Sequence, residues 1–319
     1  MKFVIIGAGA LGSIMAAHLA QAGEDVKLIA RGNRAEYLRN EGITITGLSD
    51  VKAECEIVTD PRTITEADVL IMTVKTFDTE AALESTKHIK VATAFSVQNG
   101  LLKNEQLAKA FGAANTIGAA AYFSGGVQED GIVAFTMNQC LHLGELPEGT
   151  STRVNDIAAL VQKSGINAEA SMQIQNVEWS KFLDWIGLMP VSVLTRLLTY
   201  KLSSSPEVGL IGLKIQKEVA SLAKAYGISF LDLGPMPILN FMLNASDEEA
   251  AKKQAELGQF IKANMPTHKV SALQDLERGK KMEVDETLGF ILKKAKEKNL
   301  QMPTLEVCYG LIKAINDNL

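Results

Sequence analysis

The chain has 319 residues, enough for two domains with full cores. It is 47% hydrophobic and 22% charged, as expected of a globular protein, and a net charge of −5 without a basic stripe disfavours nucleic-acid binding. The three cysteines, Cys55, Cys140 and Cys308, stand far apart and form neither a disulfide framework nor a zinc motif, which argues for a reducing cytoplasm and no metal.

The first element is an apolar strand at Phe3-Val4-Ile5-Ile6, followed at once by Gly7-Ala8-Gly9-Ala10-Leu11-Gly12. An amphipathic helix to about Ala22 and a second apolar strand over 26–30 complete the unit. This is G-x-G-x-x-G at the first turn of a strand–helix–strand. Gly7 serves the tight turn, Gly9 the close approach of a pyrophosphate, and Gly12 the packing of helix on strand. The helix N-terminus offers free N–H groups and the positive end of its dipole. The same apolar run, 3–22, has the roughly 20-residue length of a bilayer span, and Lys2 ahead of it imitates a secretory signal. The glycine spacing, Gly23 at the helix end and the strand behind it favour the nucleotide reading, which leaves no membrane or targeting segment.

Dinucleotide folds that take NAD place an acidic residue at the end of the second strand. Here Arg31 stands there, with Arg34 three residues on. Guanidiniums at that place suit a 2′-phosphate, so the cofactor read from the sequence is NADPH/NADP+ rather than NADH. The competing reading is a pair of ordinary loop arginines.

Farther along, 33–40 reads as a short helix, 43–46 and 56–59 as small strands, and 69–74 as a buried strand ending in Lys75. A helix beginning near Ala81 precedes a strand over 92–97 that ends in Gln98-Asn99-Gly100. Residues 104–111 are helical and 116–121 again a strand. Strands alternating with helices argue for a parallel sheet covered on both faces. Ligands bind at the carboxyl ends of such strands, where Lys75, Gln98 and Asn99 stand; taken singly each reads as loop capping, taken together as cofactor- or substrate-binding. Gly125-Gly126 and Asp130-Gly131 bound strand-like runs at 132–136 and 140–143, expected as antiparallel strands closing the sheet. A helix over 153–163 and a strand over 167–170 complete the first domain.

From Ile174 onward helical periodicity dominates, with helices expected at 175–199, 206–226, 247–265, 271–279, 283–299 and 304–318. The fold class is therefore an α/β N-terminal Rossmann-type domain, 1–172, followed by an all-α C-terminal domain, 173–319. A cleft between two such domains is the default place for a small-molecule site.

Early in the second domain stands Val177-Glu178-Trp179-Ser180-Lys181-Phe182, and later the run from Lys269 to Asp285. With these pieces the sequence resembles the ketopantoate reductase (2-dehydropantoate 2-reductase) family over nearly its whole length. The resemblance rests on GAGALG at 7–12, Arg31, Val74-Lys75, Gln98-Asn99-Gly100, W-x-K at 179–181, and S-x-L-Q-D-x-x-x-G-x-x-x-E from Ser271 to Glu283. It implies NADPH-dependent reduction of a 2-keto acid, in the first place 2-dehydropantoate to pantoate. By the same resemblance Lys181 is the general acid and Glu283 orients it or a substrate hydroxyl. Ser271 contacts the substrate, and Lys75 and Asn99 line the nicotinamide and substrate side. The partner implied is a small-molecule 2-keto acid, with no nucleic acid or membrane, and a homodimer is left open.

The sequence departs from the family at three positions after the lysine. Asparagines four and eight residues after the lysine are usual; here stand Trp185 and Met189, and a further one falls at about Thr199. Either Asn99, Ser192 and Thr195 hold ketopantoate, or the substrate is a more apolar 2-keto acid, or Trp185 and Met189 are core residues on a slightly rotated helix. Two other classes compete. An opine- or amino-acid-type dehydrogenase shares the domain order but relies on a catalytic histidine, and none of His18, His88, His142 and His268 is obviously placed for that. An NADPH sensor without turnover has no need of Lys181 and Glu283.

Overall fold

The protein is described from a computed structural model, over residues 1–234 and 238–319. It forms two compact units, Met1–Glu178 and Trp179–Leu319.

In the first unit, strands β1 (Lys2–Ile6), β2 (Asp25–Ile29), β5 (Glu56–Val58), β6 (Glu66–Met72) and β7 (Lys90–Ser96) form a parallel sheet in the order β5-β2-β1-β6-β7. The continuous apolar runs follow from burial on both faces. Phe3 and Ile5 of β1 enter one core, Val4 and Ile6 the other, and Val69 and Ile71 part from Leu70 and Met72 in the same way. Helices α3 (Thr79–Thr86) and α4 (Leu102–Phe111) cover one face through Ala82, Leu83 and Leu107.

The other face is covered by α1 (Ala10–Gln21), and here an expectation fails. This helix is not amphipathic: every residue from Gly12 to Leu19 is buried. A second sheet lies on its far side, so the helix has no solvent face and needs no polar stripe. That sheet runs β10-β9-β3-β4, from β3 (Ile43–Gly47), β4 (Val51–Ala53), β9 (Val133–Glu145) and β10 (Ala168–Ala170), with β8 (Ile117–Val127) also pairing β9.

The two short strands expected at 132–136 and 140–143 are one strand, β9, and they do not close the first sheet. Gly125 and Gly126, expected to bound a strand, lie inside β8. A Cβ at Gly125 would sit 2.5 Å from the carbonyl oxygen of Ala134 on β9, so glycine there admits a close backbone approach at a register shift. Helix α2 (Gly32–Glu41) packs on β5, and α5 (Thr152–Lys163) packs on β9 and β10.

The second unit is helical. Helix α6 (Ile174–Thr195) begins in the first unit and supplies the second unit's opening residues. It stops at Thr195 rather than running to 199, because Arg196 turns left-handed (φ 57°); a separate helix, α7 (Thr199–Ser203), follows. Then come α8 (Pro206–Ala225), α9 (Leu239–Asn244), α10 (Asp247–Asn264), α11 (Ser271–Glu277), α12 (Phe290–Glu297) and α13 (Pro303–Asp317), with α9, α10, α12 and α13 all packed on α8. The helix expected over 283–299 opens instead with a π-helical turn, Asp285–Gly289. The Thr287 hydroxyl donates to the Glu283 carbonyl, and Gly289 N–H reaches back five residues to Val284 O at 3.2 Å. A side chain that takes a backbone acceptor widens the turn. No helix among the described residues is long and apolar enough to cross a membrane.

Candidate active site

Strand order locates the ligand-binding edge of the first unit. The chain leaves β1 to build β2 on one side and returns to build β6 on the other, so a crevice opens at the carboxyl ends of β1 and β6. The Gly7–Gly12 loop leaves β1 there, and Thr73, Val74 and Lys75 leave β6. The Thr73 hydroxyl donates to the carbonyl oxygens of Ile6 (3.0 Å) and Gly7 (2.8 Å), pinning the loop to the neighbouring strand.

Three glycines have three different surroundings. Gly7 has φ +110°, a conformation other residues rarely adopt. A Cβ on Gly12 would lie 1.9 Å from Gly7 O, so helix and turn touch there. A Cβ on Gly9 would meet no protein atom within 4 Å; nothing in the protein itself requires glycine at that place, as suits the approach of a ligand. No side chain caps the first turn of α1 and no acidic residue lies in it, so its positive end is unneutralised. These residues fit a dinucleotide pyrophosphate.

Arg31 is exposed and stands at the N-cap of α2, two residues past β2. Arg34 is different. Its guanidinium donates to Ala8 O (3.1 Å), Ser13 Oγ (3.2 Å) and Gly131 O (2.6 Å) and stacks on Tyr37, and burial lowers its pKa. The structure thus corrects the reading of two phosphate-facing arginines, because Arg34 is engaged in bracing the glycine loop.

Lys75 and Asn99, both half-buried, follow β6 and β7 on the same edge. Between them Gln98 is consumed by the fold. Its amide donates to Val74 O and Thr79 Oγ1, both at 2.7 Å, and accepts from Ser96 Oγ at 2.8 Å. It braces the two loops that carry Lys75 and Asn99.

In the second unit, Lys181 is half-buried on α6, Ser271 is half-buried as the first residue of α11, and Glu283 is buried just ahead of the π-helical turn. Trp185 follows Lys181 by one helical turn, on its face. Its indole Nε1 is buried without a hydrogen-bond partner among the described residues, as is Ser192 Oγ. Met189 is fully buried. Thr195 Oγ1 is engaged in ending α6, donating to Val191 O at 2.6 Å and accepting from Leu197 N–H at 3.3 Å. Thr199 bonds His268 Nδ1 at 2.9 Å. His18 is likewise engaged, with Ile14 O at 2.8 Å and Ser49 Oγ at 3.0 Å.

Sequence reasoning missed a buried ion pair at the start of α6. Lys103 Nζ lies 3.3 Å from Glu178 Oε1, and both side chains are at most 5% exposed. Lys103 also donates to Ser96 O and Ala119 O; Glu178 accepts from Ala119 N–H (3.0 Å) and Asn104 Nδ2 (2.7 Å). Burial lowers the Lys103 pKa, opposed by the Glu178 charge. Neither residue sits in a motif, and the pairing joins positions 75 apart in sequence, so local spacing carried no signal of it. Asp184, one turn past Lys181, was also missed. Burial, and then the charge of Asp232, raises its pKa to about 7.

Comparison with known proteins bears on both halves of the chain. Residues 3–148 match the family described as ketopantoate reductase PanE/ApbA, and residues 173–316 its C-terminal part. A 2-dehydropantoate 2-reductase of Pyrococcus horikoshii is 29% identical, over 98% of this chain and 97% of that protein. A PanE/ApbA family ketopantoate reductase from Ralstonia eutropha superposes with a TM-score of 0.83 at 24% identity, covering 100% of this chain and 99% of the other. A D-mandelate dehydrogenase solved with NADH and anilino(oxo)acetate has the same fold, with a TM-score of 0.84 at 21% identity over 100% of this chain and 99% of that one. With both of its halves matched in order, the chain belongs to the ketopantoate reductase PanE/ApbA family.

Proposed function

We propose that the protein reduces a 2-keto acid to the 2-hydroxy acid with NADPH, most specifically 2-dehydropantoate to pantoate, as a cytoplasmic enzyme of pantothenate biosynthesis. Family membership over both halves of the chain carries this reading, and the open space at Gly9 beside an uncapped helix end supports its dinucleotide part.

When bound, the nicotinamide supplies a hydride to the carbonyl carbon. Residues Gly7, Ala8, Gly9, Ala10, Leu11 and Gly12 hold the pyrophosphate through backbone N–H groups. Arg31 pairs with the 2′-phosphate. Lys75 and Asn99 line the nicotinamide and substrate side. Lys181 donates its proton to the carbonyl oxygen as negative charge grows there, and takes another from water afterwards; a positioned donor of this kind contributes roughly 10²–10⁴-fold in rate. Glu283 orients the Lys181 ammonium or a substrate hydroxyl, and Ser271 contacts the substrate.

Trp185 favours a second reading within the same reaction. An indole and a thioether stand where amides are usual in the family, and the buried indole N–H lacks a partner among the described residues. A site that does not bond a polar group gives up strong discrimination for it, which suits a more apolar 2-keto acid.

A panel of 2-keto acids, including ketopantoate and an aromatic member, assayed with NADPH and with NADH by loss of cofactor absorbance, tests both. The highest kcat/KM on ketopantoate with NADPH is expected. A higher value on the apolar acids selects the second reading, equal use of NADH overturns the cofactor assignment, and no turnover on any acid overturns the reductase itself.

A further inference from the structure

Outside the residues given roles above, three side chains of different donor chemistry meet on the second sheet. Cys140 and His142 are two apart on β9 and so share a face. Glu169 on β10 is the register partner of His142. His142 Nδ1 lies 2.9 Å from Glu169 Oε1 and 3.8 Å from Cys140 Sγ, and the three donor atoms all fall within 4.8 Å of one another. The Tyr122 ring, opposite Cys140 in register, packs edge-on to the imidazole at 5.5 Å and holds its plane. Leu141 and Leu143, on the other face of β9, belong to the core. Burial is graded: His142 is buried, Cys140 half-buried and Glu169 exposed, so an ion reaches the trio from solvent past a carboxylate.

We infer that Cys140 Sγ, His142 Nδ1 and a Glu169 carboxylate oxygen form a binding site for a divalent cation of the zinc class. Thiolate and imidazole select zinc-like ions over magnesium and calcium, which take oxygen ligands. Bond lengths of about 2.0–2.3 Å in a tetrahedral site put donors roughly 3.4–3.6 Å apart. The Cys140–His142 spacing is already near that. The Glu169 oxygen has to draw back from the imidazole and move toward the sulfur, which rotation of an exposed side chain provides. Three protein ligands leave the fourth position to water. On binding, the metal–sulfur bond forms as the thiol S–H breaks, and its proton passes to solvent. The imidazole binds in the neutral form that carries its proton on Nε2.

Sequence spacing does not reveal this site, because Cys-x-His is too short to be a zinc motif and Glu169 arrives only through strand register. An ion here clamps β10 to β9. Only three residues separate the end of β10 at Ala170 from the start of α6 at Ile174.

Cobalt titration of the full-length, metal-free protein is the test. A sulfur-to-cobalt charge-transfer band is expected, saturating at one equivalent, displaced by zinc and retained in Cys55→Ser. It should be lost in Cys140→Ser and need at least about tenfold more cobalt in Glu169→Gln. Zinc should also raise the Tm by a few degrees, and magnesium should not. Absence of the band in the unaltered protein, or its persistence in Cys140→Ser, overturns the site. A Tm that responds to magnesium as to zinc overturns the donor class, and the trio is then an ion pair with a neighbouring thiol.

Discussion

Lys181 carries the proposed proton transfer, so Lys181→Met should lower kcat by roughly 10²–10⁴-fold while NADPH binding, read by fluorescence titration, stays unchanged. The two arginines after β2 separate recognition from bracing. Arg31 is exposed and Arg34 is held by three acceptors. Arg31→Ala should weaken NADPH binding about 10–100-fold, the worth of a lost charge-assisted pair, and leave NADH nearly untouched; equal losses would refute the 2′-phosphate assignment. Arg34→Ala should weaken both cofactors and lower the Tm, because it loosens the loop itself. The glycines divide in the same manner. Gly9→Ala meets open space and should fold normally while binding either dinucleotide poorly. Gly12→Ala forces a carbon onto Gly7 O and should cost stability outright.

Among elements, α6 matters most, because it carries Lys181 and its first turn is fixed by charge. Glu178 joins Lys103, Asn104 and the Ala119 backbone in one buried network. Removing one partner of such a pair strands the other, so Glu178→Ala should destabilise by about 3–5 kcal/mol in chemical denaturation. A loss below about 1 kcal/mol would mean that water replaces the carboxylate. The strand and helix order of the parallel sheet was legible from hydrophobic runs and punctuation, because β1 and β6 are buried on both faces and α/β alternation leaves a clear period. The character of α1 was not. A helix packed between two sheets shows no polar stripe, and the second sheet that buries it is assembled from β3, β4, β8, β9 and β10, segments scattered over more than a hundred residues.

For the whole molecule, Asp184 links stability to pH. Its carboxyl is held at about 7 by burial first and by Asp232 second, against about 3.9 unfolded. The folded state therefore keeps the proton longer. The contribution is fully present below pH 4 and is lost as pH rises through 7, a decline on the order of 1–3 kcal/mol once screening at a half-buried site is allowed for. Asp184→Asn should flatten the Tm profile over that window and raise the Tm at pH 8. An unchanged profile would show that Asp184 ionises as a solvated carboxyl. Cofactor binding acts on the same equilibrium: NADPH at a hundred times its Kd should stabilise the protein by about 2.7 kcal/mol, and Gly9→Ala should abolish that gain.

The sequence by itself determined the fold class, the glycine loop and the family. These depend on local spacing: three glycines at a turn, apolar runs of strand length, and short motifs in a fixed order. Only tertiary structure decided which polar residues are consumed by the fold. Arg34, Gln98 and Thr199 spend hydrogen bonds on neighbours far away in the chain, and Thr195 on ending its own helix, whereas Trp185 Nε1 is left without a partner among the described residues. Lys103 with Glu178, and Cys140 with His142 and Glu169, likewise meet only when distant segments pack or strands take their register. A side chain's partners are set by what arrives beside it, and one-dimensional spacing does not encode that.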